Sequence, residues 1–292
     1  MQFRLLMLIT LISIFSITGL YAYAVTLDVT ILSEVQDDAD TKLLKQPMDA
    51  AVATIGDRTY VVVSSYADDG MEIIDITDPA NPTSVGRVGD GDDSDVCTVA
   101  NEQKCLEGAN GNAITTINGK TYAIIVATFD DGIEIIDISD PTSPTSVGRL
   151  GGGGDSDVCT VANGKTCLDA AKEAGIYTRS GSTYAVVTAT NSDGIEIIDI
   201  SDPTSPTSVG RLGDDGIEGG CNSTQVCLDG AKGIAIETIN GTPYAIVGAT
   251  YDDGIEIIDI SDPTSPTSVS RVVDGTDTGR CTVANGEKCL DH

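Results

Sequence analysis

The sequence predicts an all-β chain, a β-propeller of four-stranded antiparallel blades built from four repeats of about 62 residues, and three observations predict it. The stretch DGIEIIDISDPTSPTSVGRLG at residues 131–151 recurs letter for letter at 193–213, with close variants at 69–89 and 253–273. The glycines of its Asp-Gly pairs, Gly70, Gly132, Gly194 and Gly254, fall at steps of 62, 62 and 60 residues. Within each step, short runs rich in valine, isoleucine, threonine and tyrosine alternate with turn signals, and no helical period has room to run.

In the second unit the β runs are Asn112 to Ile117, Tyr122 to Thr128, Ile133 to Ile138 and Thr145 to Leu150. Asn118-Gly119 and Asp131-Gly132 are primed-turn signals for hairpins, and Ser139 to Pro144 is a proline-braced corner. The fourth connection, Gly151 to Ala171, is long, as a crossover from the outermost strand of one blade to the innermost strand of the next must be. Isoleucine stands on both faces of IEIIDI, which suits a sheet sandwiched between neighbours. A stack of small sandwiches is the competing architecture.

Ahead of the repeats, residues 1–24 carry a single charge, Arg4, then an apolar run from Leu5 to Leu20 and the small-x-small end Ala22-Tyr23-Ala24. This predicts a secretory signal cleaved after Ala24, with an uncleaved anchor as the alternative. Residues 25–47 supply an extra strand, Val25 to Val35, and an acidic linker, and residues 48–292 hold the repeats, with units at about 48–107, 108–169, 170–229 and 230–292. The extra strand resembles the one that closes each unit. It is expected to pair either at a ring closure or with the edge of a neighbouring copy, a route to self-association.

The formal net charge is −29, and removal of the signal leaves 15 basic against 45 acidic residues, or −30. Such a field excludes nucleic acid and anionic membranes as partners and favours cations or a basic protein or surface. Eight cysteines form four local pairs, Cys97/Cys105, Cys159/Cys167, Cys221/Cys227 and Cys281/Cys289, one per unit. An even count on an exported chain predicts four disulfides that pin loops. Zinc is disfavoured, because the spacings are not CxxC and the one histidine is His292.

The core motif, Ile-Glu-Ile-Ile-Asp-Ile-Ser-Asp-Pro-x-x-Pro with aromatic-Asp-Asp-Gly before it, resembles the LVIVD repeat. That resemblance covers all four units and implies a propeller-like fold on extracytoplasmic proteins, with no defined catalytic residues. The unit here is longer than the family's, the acidic cysteine loop standing between blades.

Strand alternation sets the turns between second and third strands on the same face as the crossovers. That face collects Asp68, Asp69, Asp130, Asp131, Asp193, Asp252 and Asp253 from turns, and Asp90, Asp92, Asp93, Asp95, Asp155, Asp157, Asp214 and Asp215 from loops. A further set, Asp49, Glu107, Asp169 and Asp229, is expected to ring the mouth of a central channel. Oxygen ligands without histidine suit a hard cation, so Ca2+ is the expected metal, against the plainer reading of solvated charges. The Asp of IEIIDI (Asp75, Asp137, Asp199, Asp259) is expected either to pair with the Arg of SVGR (Arg87, Arg149, Arg211, Arg271) or to hydrogen-bond the proline turn. Tyr60, Tyr122, Tyr184 and Tyr244 are expected to pack between blades.

Catalysis has little to draw on: the chain has no internal histidine, no Gly-x-Ser-x-Gly elbow and no phosphate loop. Two carboxylates suffice for acid/base work on a glycan, but in a chain with 45 of them the signal is weak. Asn222-Ser-Thr and Asn240-Gly-Thr match the glycosylation pattern. The expected function is therefore a secreted or surface-displayed binding or structural module, not an enzyme. The alternatives are a calcium-dependent extracellular propeller enzyme and a polymerising surface-layer or filament subunit.

Overall fold

The computed structural model describes residues 35, 43–89, 106–151, 168–213, 226 and 228–273. All secondary structure among them is strand, in four antiparallel four-stranded sheets. Blade one holds β1 (Pro47–Ile55), β2 (Arg58–Ser65), β3 (Gly70–Asp75) and β4 (Thr83–Gly89), and blade two holds β5 (Ala109–Ile117), β6 (Lys120–Ala127), β7 (Gly132–Asp137) and β8 (Thr145–Gly151). Blade three holds β9 (Ala171–Arg179), β10 (Ser182–Ala189), β11 (Gly194–Asp199) and β12 (Thr207–Gly213), and blade four holds β13 (Ala231–Ile239), β14 (Thr242–Ala249), β15 (Gly254–Asp259) and β16 (Thr267–Val273). Within each sheet the order follows the chain, so every blade is a plain meander. Successive blades meet through their first strands, β1 on β5, β5 on β9 and β9 on β13, which makes these the innermost strands of a propeller. The four-bladed all-β architecture read from the repeat is therefore present.

The turns form for different reasons. At Asn118-Gly119 both residues take positive φ, 53° and 81°, as a type I′ hairpin requires, and Ser180-Gly181 and Asn240-Gly241 repeat the pattern. The Asp131-Gly132 pair differs from expectation. Only Asp131 is left-handed, φ 50°, while Gly132 is already the first residue of β7 and lies so close to β8 that an added Cβ would stand 2.6 Å from the Leu150 carbonyl oxygen. The glycine is there for room, and the preceding aspartate makes the turn. The first strand of unit two also starts earlier than its β pattern suggested, at Ala109, because a bulge between Ala109 and Asn112 interrupts the alternation.

The core lies between the blades. Ile124, Ile133 and Ile135 of blade two pack with Leu168, Ala185, Val187 and Ile198 of blade three, and equivalent clusters fill the other two seams. Ile135 and Ile136, adjacent on β7, belong to different seams and are both fully buried. This is the two-faced strand that IEIIDI implied. Tyr60, Tyr122 and Tyr177 are buried in the seams, and Tyr184 packs against the third.

Each third strand also buries a carboxylate. Glu72, Glu134, Glu196 and Glu256 are fully inaccessible, and each accepts a hydrogen bond from the serine of the next strand, Ser84, Ser146, Ser208 or Ser268. Arg149, Arg211 and Arg271 lie 3.6, 3.6 and 3.7 Å from Glu134, Glu196 and Glu256. The arginine of SVGR thus pairs with the glutamate of IEIIDI and not with its aspartate. The aspartate follows its other expected course: Asp75, Asp137, Asp199 and Asp259 accept the N–H two residues on, at 2.8 to 2.9 Å, and so open the proline corner.

Candidate functional site

The face carrying the β2–β3 turns and the entries to the next blades is built from backbone hydrogen bonds to turn carboxylates. The first aspartate of each pair bonds the segment that leads into its own blade: Asp68 accepts the Lys45 N–H at 2.7 Å, Asp130 that of Glu107 at 2.7 Å, and Asp252 that of Asp229 at 2.9 Å. Ser192 does the same for Asp169 at 3.0 Å. The second aspartate reaches the segment that leads into the next blade: Asp69 accepts from Gly108, Asp131 from Ala170 and Asp193 from Gly230, at 2.8, 2.8 and 2.9 Å. Left-handed φ at Asp69, Asp131 and Asp193 aims these carboxylates across the seam. The turns and crossover entries do share one face.

The set expected around the channel mouth divides. Glu107, Asp169 and Asp229 are equivalent, each donating its N–H to a turn and accepting another at its carbonyl from Phe129, Asn191 or Tyr251. In unit one that position belongs to Lys45, whose carbonyl accepts from Ala67. Asp49 instead stands inside β1 and accepts the Asn112 N–H of blade two at 2.8 Å. Glu173 makes the matching contact to Ile234 of blade four at 3.2 Å. The leucine-acid spacing that defined the set has no counterpart around Asp49, which is why the sequence misplaced it. Cys97, Cys105, Cys159, Cys167, Cys221, Cys227, Cys281 and Cys289 lie outside the described residues, as do Asn222 and the loop aspartates Asp90, Asp92, Asp155 and Asp157. Asn240 is exposed at a hairpin tip.

Crowding shows in the acidities. Burial pushes Asp131 up to about 6, against the pull of the Ala170 N–H, with Asp169 and Asp130 adding repulsion. Burial likewise raises Glu107, helped by Asp130 and Asp69, and raises Asp252 and Glu173. Among the described residues no group of three or more histidine, cysteine, aspartate or glutamate side chains is arranged to hold a metal ion.

Aromatic rings on this face were not singled out from the sequence. Phe129 and Tyr251 stand 53% and 59% exposed in the turns of units two and four, and Tyr66 of unit one lies 5.2 Å from Phe129, ring centre to centre. Each exposed ring rests on a left-handed glycine: a Cβ on Gly108 would fall 2.7 Å from Phe129 and one on Gly230 2.6 Å from Tyr251. Where the left-handed residue is Ala170 or Gln46, the turn carries Asn191 or Ala67 instead. The signal was available as this pairing of glycine with ring, 21 residues apart in both units.

The LVIVD repeat profile matches the chain four times, at residues 50–90, 121–150, 183–214 and 243–274. No curated protein matches the chain. Among solved structures, a functionally unknown protein from Desulfotomaculum acetoxidans is similar at a TM-score of 0.51 and 14% identity, over 78% of this chain and 56% of that one. A candidate 6-phosphogluconolactonase from Bacteroides fragilis is similar at 0.50 and 13%, over 77% and 56%. GH43B of the Bacteroides ovatus xyloglucan PUL reaches 0.43 and 12%, over 83% and 43%. The chain spans about half the length of these proteins, and with the first two, at 14% and 13% identity, the likeness is one of fold alone.

Proposed function

On the premise that the chain belongs to the LVIVD-repeat family, we propose that it is an extracytoplasmic, non-catalytic binding module that engages a basic protein surface through its turn face. The observation that carries this is the pair of exposed rings, Phe129 and Tyr251, each held over a glycine among carboxylates of raised affinity for protons. Rigid aromatics that stay exposed are the usual anchors of protein contacts, and beside carboxylates they suit lysine and arginine, through ring faces and charge together. Repetition from blade to blade makes the contact multivalent, so that weak single contacts add.

The test is anisotropy with a labelled Lys/Arg-rich peptide. The chain should bind it with an affinity that falls as salt is added, and Phe129→Ala with Tyr251→Ala should weaken binding by about tenfold or more. Equal binding by the double variant sinks the role of the rings. Calcium is the cation proposed for the same face, gathered by its carboxylates at large and not by one shared site, since Glu107, Asp169 and Asp229 open three different blades. A melting temperature that rises in calcium and returns on chelation is the expected result, and indifference to both removes the metal from the proposal.

A further inference from the structure

The seams between blades contain a second kind of obligatory glycine. Gly86, Gly148 and Gly210 sit on the outermost strands opposite Ile73, Ile135 and Ile197, directly after the bulged residue Val85, Val147 or Val209. The proline corner of the following blade lands on each of them. An added Cβ would lie 2.1 Å from the Pro141 carbonyl oxygen at Gly86, and 2.0 Å from those of Pro203 and Pro263 at Gly148 and Gly210. The obstacle is backbone, in a corner held by two prolines and by N–H bonds to Asp140, Asp202 or Asp262, so no flexible tip can swing away. Any side chain there holds the next blade off.

Blade four keeps the large apolar residues of this docking face. Tyr244, Ile246, Ile255 and Ile257 stand where Tyr122, Ile124, Ile133 and Ile135 stand in blade two. In blade two they are buried, at most 8% exposed; in blade four all four are partly open and Val272 is 39% exposed. Opposite Ile257, Ser270 replaces the glycine and is itself exposed, and Gly248 stands where blade two has Val126, which only leaves the face more open. At the other end of the array, Pro79, in the corner that a docking first blade would offer, is exposed.

From this we propose that Ser270 closes the outward face of blade four to any further blade of this repeat, whether the first blade of the same chain, the first blade of a second copy, or an added unit. An apolar sheet face open at one end of a repeat invites head-to-tail stacking without closure, and one β-carbon at the landing point of the corner blocks it.

The test is a pair of chains extended after residue 273 by one more unit, a copy of residues 214–273, one with Ser270 and one with Ser270→Gly. Hydrogen exchange is read at the amides of β14 and β15. Docking of the fifth blade should slow their exchange by about tenfold or more in the Ser270→Gly chain and leave it unchanged in the Ser270 chain. Protection in both chains, or in neither, overturns the proposal. Gly210→Ser in the unextended chain is the mirror experiment: exchange should quicken at the seam between blades three and four and stay unchanged between blades one and two. An unaltered seam there also overturns it.

Discussion

Asp131 combines three roles that single substitutions can separate: it makes the turn, holds the next blade and carries a charge out of water. Its left-handed φ of 50° suits asparagine nearly as well, and an asparagine oxygen can still accept the Ala170 N–H. Asp131→Asn should therefore raise stability at pH 7, where the buried charge is a burden, and change nothing at pH 4. Asp131→Ala loses the acceptor and strains the turn, and should cost about 1–3 kcal/mol at pH 4 and less at pH 7, where it also removes the buried charge. Because the folded pKa is raised to about 6 from an ordinary 3.8, the contribution of Asp131 is present in acid and lost as pH rises through 6. Asp140, Asp202 and Asp262 run the other way: Thr142, Thr204 and Thr264 hydroxyl and N–H groups lower them, so their contribution is lost only as pH falls below the ordinary range. Thermal melts should show stability rising from pH 7 to 5 and falling below about 3.5. Asn112 is a simpler liability. It is 6% exposed and neither atom of its amide has a partner, while the equivalent residues of blades three and four are Ala174 and Ile234. Asn112→Ala removes a buried unpaired amide, and the melting temperature should rise by a few degrees for a gain of about 1–2 kcal/mol.

At the scale of the element, glycine has two unrelated uses that denaturation can tell apart. Gly119 takes φ 81° with nothing near its α-carbon, so Gly119→Ala meets backbone strain alone and should cost about 1 kcal/mol. Gly148→Ala meets the Pro203 carbonyl oxygen and must push neighbouring sheets apart, so it should cost about 3 kcal/mol or more and loosen the seam between blades two and three. The blade itself was legible in the sequence, since prolines, Asn-Gly pairs and two-faced isoleucines leave few ways to fold such a unit. The partner of the SVGR arginine was not. IEIIDI offers Glu134 and Asp137 on one strand, and only the bulge at Val147, before Gly148, sets Arg149 opposite the glutamate. The candidate face was half legible: the turn aspartates were found, but their commitment to N–H groups of the next blade depends on left-handed backbone that no residue pattern displays. Asp49 was misplaced because an acid ahead of a β run resembles Glu107, Asp169 and Asp229 in composition without sharing their register.

Over the whole molecule, apolar burial is concentrated in the seams, so each blade depends on its neighbours, and the array holds together through pairwise contacts from blade to blade. Against them acts a formal charge of −29 on 292 residues. Self-repulsion favours the expanded chain, and the turn face concentrates it where Asp69, Asp131 and Asp193 cross from one blade to the next. Salt screens such charges with a Debye length of about 30 Å at 0.01 M and about 8 Å at 0.15 M. Sodium chloride should accordingly raise the melting temperature steeply over that range and flatten beyond it, once the screening length falls below the spacing between turns. Calcium at equal ionic strength discriminates between two origins of the effect. If the face only repels, calcium and sodium curves superimpose; if the carboxylates gather around a bound ion, calcium at millimolar concentration stabilises beyond the sodium curve, and chelator restores it.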